Sequence, residues 1–142
     1  MMNKVAVIYW SGTGNTELMA QAVAEGAKQA GAEVSVYPVE QISAQQAAAF
    51  DRLALGCPAM GGEVLEECAF EPFFSELEGS LSGKKVVLFG SYDWGDGQWM
   101  RDWQSRTEQA GAVLAAEGLI VHLTPDDSGL ADCRNLGAQI AQ

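Results

Sequence analysis

A run of small polar residues near the start of the chain has the composition of a phosphate-binding loop. It consists of Ser11, Gly12, Thr13, Gly14, Asn15 and Thr16. Glycines allow a tight turn in which backbone N–H groups converge, and the hydroxyl and amide side chains add neutral donors. A helical pattern begins at Gly14, so the helix N-terminus would also favour an anion. The run lacks the Gly-Lys-Ser/Thr ending of an NTPase loop and the third glycine of a dinucleotide fingerprint.

Two later segments have the composition of walls for a flat aromatic ligand. The first contains Pro58, Ala59, Met60, Gly61, Gly62 and Glu63, and the second contains Ser91, Tyr92, Asp93, Trp94 and Gly95. An indole among glycines and aspartates does not fit a hydrophobic core, and a methionine offers a polarizable contact. Together these segments predict a sandwich for an aromatic ring whose phosphate would lie in residues 11–16.

The elements that carry these segments alternate between strand and helix. Apolar or alternating runs predict strands at residues 5–9, 33–37, 53–55, 86–89 and 119–121. Helical spacing and caps predict helices at residues 14–30, 43–50, 70–78, 98–110 and 129–140. Parallel neighbours need long crossovers, so this alternation predicts an α/β fold, a doubly wound five-stranded parallel sheet with helices on both faces. Order 2-1-3-4-5 puts the apolar first strand in the middle and brings the three polar segments to the carboxyl edge.

Composition narrows the class of protein. The 142 residues predict one domain over 1–142. The absence of a signal-peptide or membrane-spanning pattern predicts the cytoplasm. Three widely spaced cysteines predict neither a disulfide framework nor a zinc site, and the lone His122 is expected at a strand end. The net charge of −11 disfavours nucleic acid and anionic membranes as partners. It fits either simple solubility or an acidic face that docks on basic proteins.

Taken together, these motifs resemble the short-chain flavodoxins of the clostridial type. The resemblance is carried by residues 9–17, by Ala59-Met60-Gly61 with Glu63, and by residues 90–92 and 94–95 with Trp99 and Met100. It implies FMN, with its phosphate held by residues 11–16. It further implies Met60 and Trp94 on the two flavin faces, Glu63 at the imide N–H, the Asp93 backbone at the pyrimidine edge and Trp99 near the phosphate. Departures from the family pattern occur at Pro58, Gly62, Asp93 and Leu123.

The resemblance implies a low-potential one-electron carrier rather than an enzyme. Its expected partners are reductases and electron-accepting enzymes with basic docking faces, and it is expected to be a monomer. An FMN-dependent quinone reductase on the same fold is the main alternative, and a specialised activator of one enzyme is a second. A receiver domain is a third alternative, but it needs a phosphorylatable Asp after the third strand, where residues 56–58 are Gly-Cys-Pro.

Overall fold

The computed structural model describes residues 3–142. The strands are β1 Lys4–Tyr9, β2 Glu33–Pro38, β3 Arg52–Gly56, β4 Lys85–Tyr92, β5 Val113–Leu114 and β6 Leu119–His122. The helices are α1 Asn15–Gln29, α2 Ala44–Ala48, α3 Phe70–Leu77, α4 Gln98–Gln109 and α5 Asp127–Ala141. Short 3₁₀ turns follow β2 and α3.

All strand pairs of the sheet are parallel, in the order β2-β1-β3-β4, with β5 and β6 both paired to β4. The predicted doubly wound arrangement is confirmed. The predicted fifth strand at residues 119–121 is present as β6, and the two-residue strand β5, which was not predicted, precedes it beside β4. Between them the chain leaves the ladder, and the Gly118 N–H donates to the Gln104 side chain at 2.7 Å instead of to a strand.

Alternate side chains of each central strand enter two separate cores. In β1, Val5, Val7 and Tyr9 face the layer that contains α1 and α5. Ala6 and Ile8 face the other layer, with the side chains of α2, α3 and α4. A strand covered on both faces explains the unbroken apolar run in the sequence.

The crossing of α1 and α5 depends on two glycines. A Cβ built on Gly26 would lie 1.9 Å from the Arg134 carbonyl oxygen, and one on Gly137 would lie 2.0 Å from the Val23 carbonyl oxygen. The two backbones therefore approach more closely than any side chain at these positions would permit. Since α1 begins at the polar run of residues 11–16, this crossing also helps to fix the position of that run.

A buried carboxylate organises the start of α3. Glu66 is 6% exposed, and its oxygens accept from the backbone N–H groups of Cys68, Ala69 and Phe70 at 2.7–2.9 Å. Burial alone would raise the pKa of Glu66, but these three hydrogen bonds outweigh it and hold the pKa below its ordinary value. The ionised form is therefore the one that stabilises the fold.

Glu66→Gln is expected to lower the free energy of unfolding at pH 7 by about 1–2 kcal/mol, because it weakens charge-assisted helix capping. A lowered folded-state pKa contributes stability that is present at neutral pH and lost as pH falls through that pKa. Urea unfolding of the cofactor-free protein should therefore show the difference from wild type shrinking between pH 7 and about pH 3. The exposed neighbour Glu67 supplies the control, and Glu67→Gln should change stability little at either pH. A Glu66→Gln deficit that is the same at both pH values would contradict this role.

Within residues 3–142, every helix is too short or too polar to cross a bilayer.

Candidate functional site

A cavity of about 360 Å³ opens at the carboxyl ends of β1, β3 and β4. Residues from all three predicted segments line it, namely Trp10, Ser11, Gly12, Thr13, Asn15, Thr16, Pro58, Ala59, Met60, Gly61, Ser91, Tyr92, Asp93, Trp94 and Leu123. Five of the predicted residues lie outside this lining: Gly14, Gly62, Glu63, Gly95 and Trp99.

The first loop, residues 11–16, is held by its own side chains at the start of α1. The Ser11 hydroxyl accepts from the backbone N–H groups of Gly14 at 3.1 Å and Glu17 at 3.3 Å. Gly14 has a φ of 98°, a conformation that favours glycine. The loop thus wraps over a helix N-terminus, where unpaired N–H groups and the helix dipole favour an anion.

Two cross-links hold the polar side chains of this loop. The Thr16 hydroxyl lies 3.1 Å from the Ser91 hydroxyl, and both residues are buried. The Asn15 amide oxygen accepts from the Thr124 hydroxyl at 3.1 Å. The loop is therefore tied to β4 on one side and to the segment before α5 on the other. Thr124 was not predicted, and only its position just after the last strand could have pointed to it.

The second loop, residues 58–63, contains a type II turn. The Glu63 N–H donates to the Met60 carbonyl at 2.8 Å, and Gly62 at the third turn position has a φ of 78°. The Met60 N–H donates to the Val64 carbonyl at 2.9 Å, which closes the base of the loop. This geometry leaves Met60 and Gly61 in the cavity wall.

The Glu63 carboxylate points to the start of α4. Its Oε1 accepts from the Gln98 N–H at 3.0 Å, and Glu63 itself has a φ of 53°. One carboxylate oxygen is thus engaged in capping a helix beside the cavity. This capping contact was not predicted from the sequence.

The third loop, residues 93–97, begins two residues later than the predicted segment that starts at Ser91, because β4 continues through Tyr92. Trp94 is 59% exposed at the cavity. Trp99 is 1% exposed, and its Nε1 donates to the Cys57 carbonyl at 3.2 Å. Its ring packs against Tyr92, with centroids 5.7 Å apart. Trp99 therefore lies behind the cavity wall, supporting it from the core.

Trp10 and Leu123 complete the lining and were not among the predicted site residues. Trp10 directly follows β1, and its position next to the polar run was the available signal. Leu123 follows β6 with a φ of 61°, which is unfavourable for a residue with a branched apolar side chain. Its N–H donates to the Tyr92 carbonyl at 2.8 Å, and this bond holds it at the cavity edge.

Two of the three cysteines, Cys57 and Cys133, are buried and contribute packing. Burial raises the pKa of the Cys57 thiol well above its ordinary value, and it raises the pKa of Cys133 to about 12. Cys68 is exposed, in the loop before α3. Among residues 3–142, no group of three or more His, Cys, Asp or Glu side chains could hold a metal ion.

Known proteins match this chain along nearly its whole length. The flavodoxin family model matches residues 7–137. A flavodoxin of Clostridium beijerinckii is 48% identical over 135 residues, covering 95% of this chain and 97% of that protein. A flavodoxin of Megasphaera elsdenii is 46% identical and covers 97% of this chain and 98% of that protein. The solution structure of the two-electron reduced Megasphaera elsdenii flavodoxin superposes with a TM-score of 0.87, covering 96% of this chain and 98% of that one.

Proposed function

The chain belongs to the flavodoxin family, and on that premise we propose how its cavity holds FMN and meets its redox partners. Flavodoxins are FMN-binding electron carriers rather than enzymes, and electron transfer is the function of this chain. The alternatives of a reductase, an activator and a receiver domain are set aside by this membership. What we propose is the assignment of roles to individual residues.

The proposal rests on one observation: an uncharged loop suited to bind an anion and an exposed indole line the same cavity. The loop of residues 11–16 wraps over the start of α1, and Trp94 stands 59% exposed at the same cavity. A volume of about 360 Å³ lies within the range of small-molecule and cofactor sites. In this proposal the phosphate would lie in the loop, and the aromatic ring would lie between Met60 and Trp94.

When bound, FMN supplies a centre that accepts and releases electrons. The chain's own residues bind and orient it. The loop N–H groups and the hydroxyls of Thr13 and Thr16 would donate to the phosphate. Met60 and Trp94 would cover the ring and exclude water from it, and Trp94 would lose exposed apolar surface in doing so.

The edge of the ring would be held by Glu63 and Asp93. We assign the imide N–H of FMN to the Glu63 oxygen that does not cap α4, and the pyrimidine carbonyls to the Asp93 backbone. The carboxylates of Glu63, Asp93 and Asp96 would oppose added negative charge in the cavity, which makes a low potential the expected outcome.

We propose partners with basic docking faces, because the chain carries a net charge of −11. Those partners would be reductases and electron-accepting enzymes. Nucleic acid and membranes are disfavoured by the same charge. We further propose that residues 1–142 act as a single domain, as a monomer and in the cytoplasm.

Thr13→Ala is expected to weaken FMN binding by about 1–3 kcal/mol, because a hydrogen bond to a charged group is lost. Thr13 is exposed in the loop, so the fold should be unaffected. Titration of the cofactor-free protein with FMN and with riboflavin, which lacks the phosphate, separates the two contributions. Riboflavin affinity should be the same in the variant and the wild type. Equal FMN affinity in both proteins, or equal losses for FMN and riboflavin, would overturn the phosphate assignment.

A further inference from the structure

We propose that His122 is a positioning residue that holds the loop carrying Asp93 and Trp94 and makes the FMN potential depend on pH. The proposal rests on the proposed function of the cavity. His122 is the single histidine of the chain, so any effect of histidine charge on the cofactor comes from this one side chain.

The histidine lies at the end of β6, paired with the end of β4. His122 is opposite Tyr92 in the ladder, and the two rings pack with centroids 5.0 Å apart at 44°. Its Nε2 lies 2.9 Å from the Asp93 carbonyl oxygen. The next residue, Leu123, donates to the Tyr92 carbonyl and lines the cavity. The imidazole thus bonds the first residue after β4, where the chain turns toward Trp94.

The carbonyl partner fixes which nitrogen carries a proton. A carbonyl oxygen only accepts, so Nε2 must donate to Asp93, and it can do so in both the neutral and the charged imidazole. The hydrogen bond is therefore compatible with both charge states of the ring. The charge itself lies beside the cavity, because Asp93, which the ring bonds, and Leu123, which follows it in the chain, both line the cavity.

The surroundings of this charge are mainly acidic. At this edge of the sheet the neighbouring elements carry several ionisable groups: Tyr92 at the end of β4, Asp93 and Asp96 on the following loop, Arg101 and Asp102 in the first part of α4, and Asp126 and Asp127 before and at the start of α5. Arg101 is paired with Asp96 at 3.0 Å. Reduction adds negative charge to the cavity, and a cation at its rim favours that charge. Reduction should therefore be easier with a charged imidazole than with a neutral one.

Two substitutions separate the hydrogen bond from the charge. His122→Gln can donate from its side-chain amide to the same carbonyl but cannot become charged. His122→Ala can do neither. His122 is exposed at a strand end, so neither change disturbs the core.

The electrostatic arm measures the reduction potentials of the FMN-loaded proteins between pH 5 and pH 8. As pH falls from 8 to 5, the equilibrium constant for reduction should rise about two- to tenfold more in the wild type than in His122→Gln. His122→Ala should also lack this gain. A ratio of wild type to His122→Gln that stays constant with pH would overturn the electrostatic role.

The positioning arm measures hydrogen exchange in the cofactor-free and FMN-loaded proteins. The reporters are the N–H of Gln98, bonded to Glu63, and the N–H of Leu123, bonded to Tyr92, because these flank the loop. Their exchange should be about three- to tenfold faster in His122→Ala and near wild type in His122→Gln. Equal exchange in all three proteins would overturn the positioning role. Failure of the wild type to bind FMN would instead overturn the proposed function, and the cofactor-free exchange data would still test the loop contact.

Discussion

Gly26→Ala is expected to lower the free energy of unfolding by about 3 kcal/mol, and Gly137→Ala by a similar amount. At each position the new Cβ would lie about 2 Å from a backbone carbonyl oxygen of the opposite helix. A backbone atom cannot rotate away as a side chain can, so α1 and α5 must separate, and overpacking of this kind costs about 1–3 kcal/mol or more. Urea unfolding of the cofactor-free protein measures the loss.

The same pair of helices provides the control for this prediction. Gly129 lies in the first turn of α5, and a Cβ there would have its nearest neighbours at 3.4–3.5 Å, an ordinary contact distance. Gly129→Ala should therefore leave stability unchanged or raise it by up to about 1 kcal/mol through helix propensity. If Gly26→Ala were as well tolerated as Gly129→Ala, the close helix crossing would be wrong.

Trp94 of the third loop and Trp99 of α4 are expected to give opposite results. Trp99→Ala should lower the free energy of unfolding by about 3–5 kcal/mol, because a fully buried indole and its bond to the Cys57 carbonyl are lost. Trp94→Ala should leave the stability of the cofactor-free protein within about 0.5 kcal/mol of wild type. It should weaken FMN binding by about 1–3 kcal/mol, because an aromatic ring no longer stacks on the flavin.

Each variant is the control for the other. Unfolding curves of the cofactor-free proteins and FMN titrations of the same samples give both quantities. A Trp94→Ala protein that binds FMN as tightly as wild type would remove Trp94 from the flavin sandwich. A Trp99→Ala protein with wild-type stability would contradict the burial of that indole.

The features predicted from the sequence are those set by local chemistry. The unbroken apolar run of β1 indicated a strand covered on both faces, and two cores cover it. Ser43 and Gln46 have the sequence spacing of a capping box at the start of α2, and both of its hydrogen bonds are present. The three polar segments were expected at one edge of the sheet, and residues from all three line the cavity. Strand alternation and composition were sufficient for these features.

The features missed depend on contacts between distant parts of the chain. The short strand β5 was missed, and the segment between β5 and β6 is bonded to α4 through Gly118 and Gln104, a contact that has no local signature. The cap that Glu63 provides for α4 joins residues 35 positions apart. The bond from His122 to Asp93 joins residues 29 positions apart, and a lone histidine at a strand end gave no hint of it. Trp99 was expected near the phosphate. Its burial depends on the packing of α4 against the sheet, which the local sequence does not specify.

The most direct test of the central claim is an anaerobic redox titration of the FMN-loaded protein. An electron carrier built around a closed ring sandwich should take up its two electrons in two separate one-electron steps, and the second step should require a low potential because of the surrounding carboxylates. The protein solution should change from yellow to blue after the first electron and lose its colour after the second. Uptake of both electrons in one unresolved two-electron step, with rapid oxidation of NAD(P)H by the protein alone, would contradict the account.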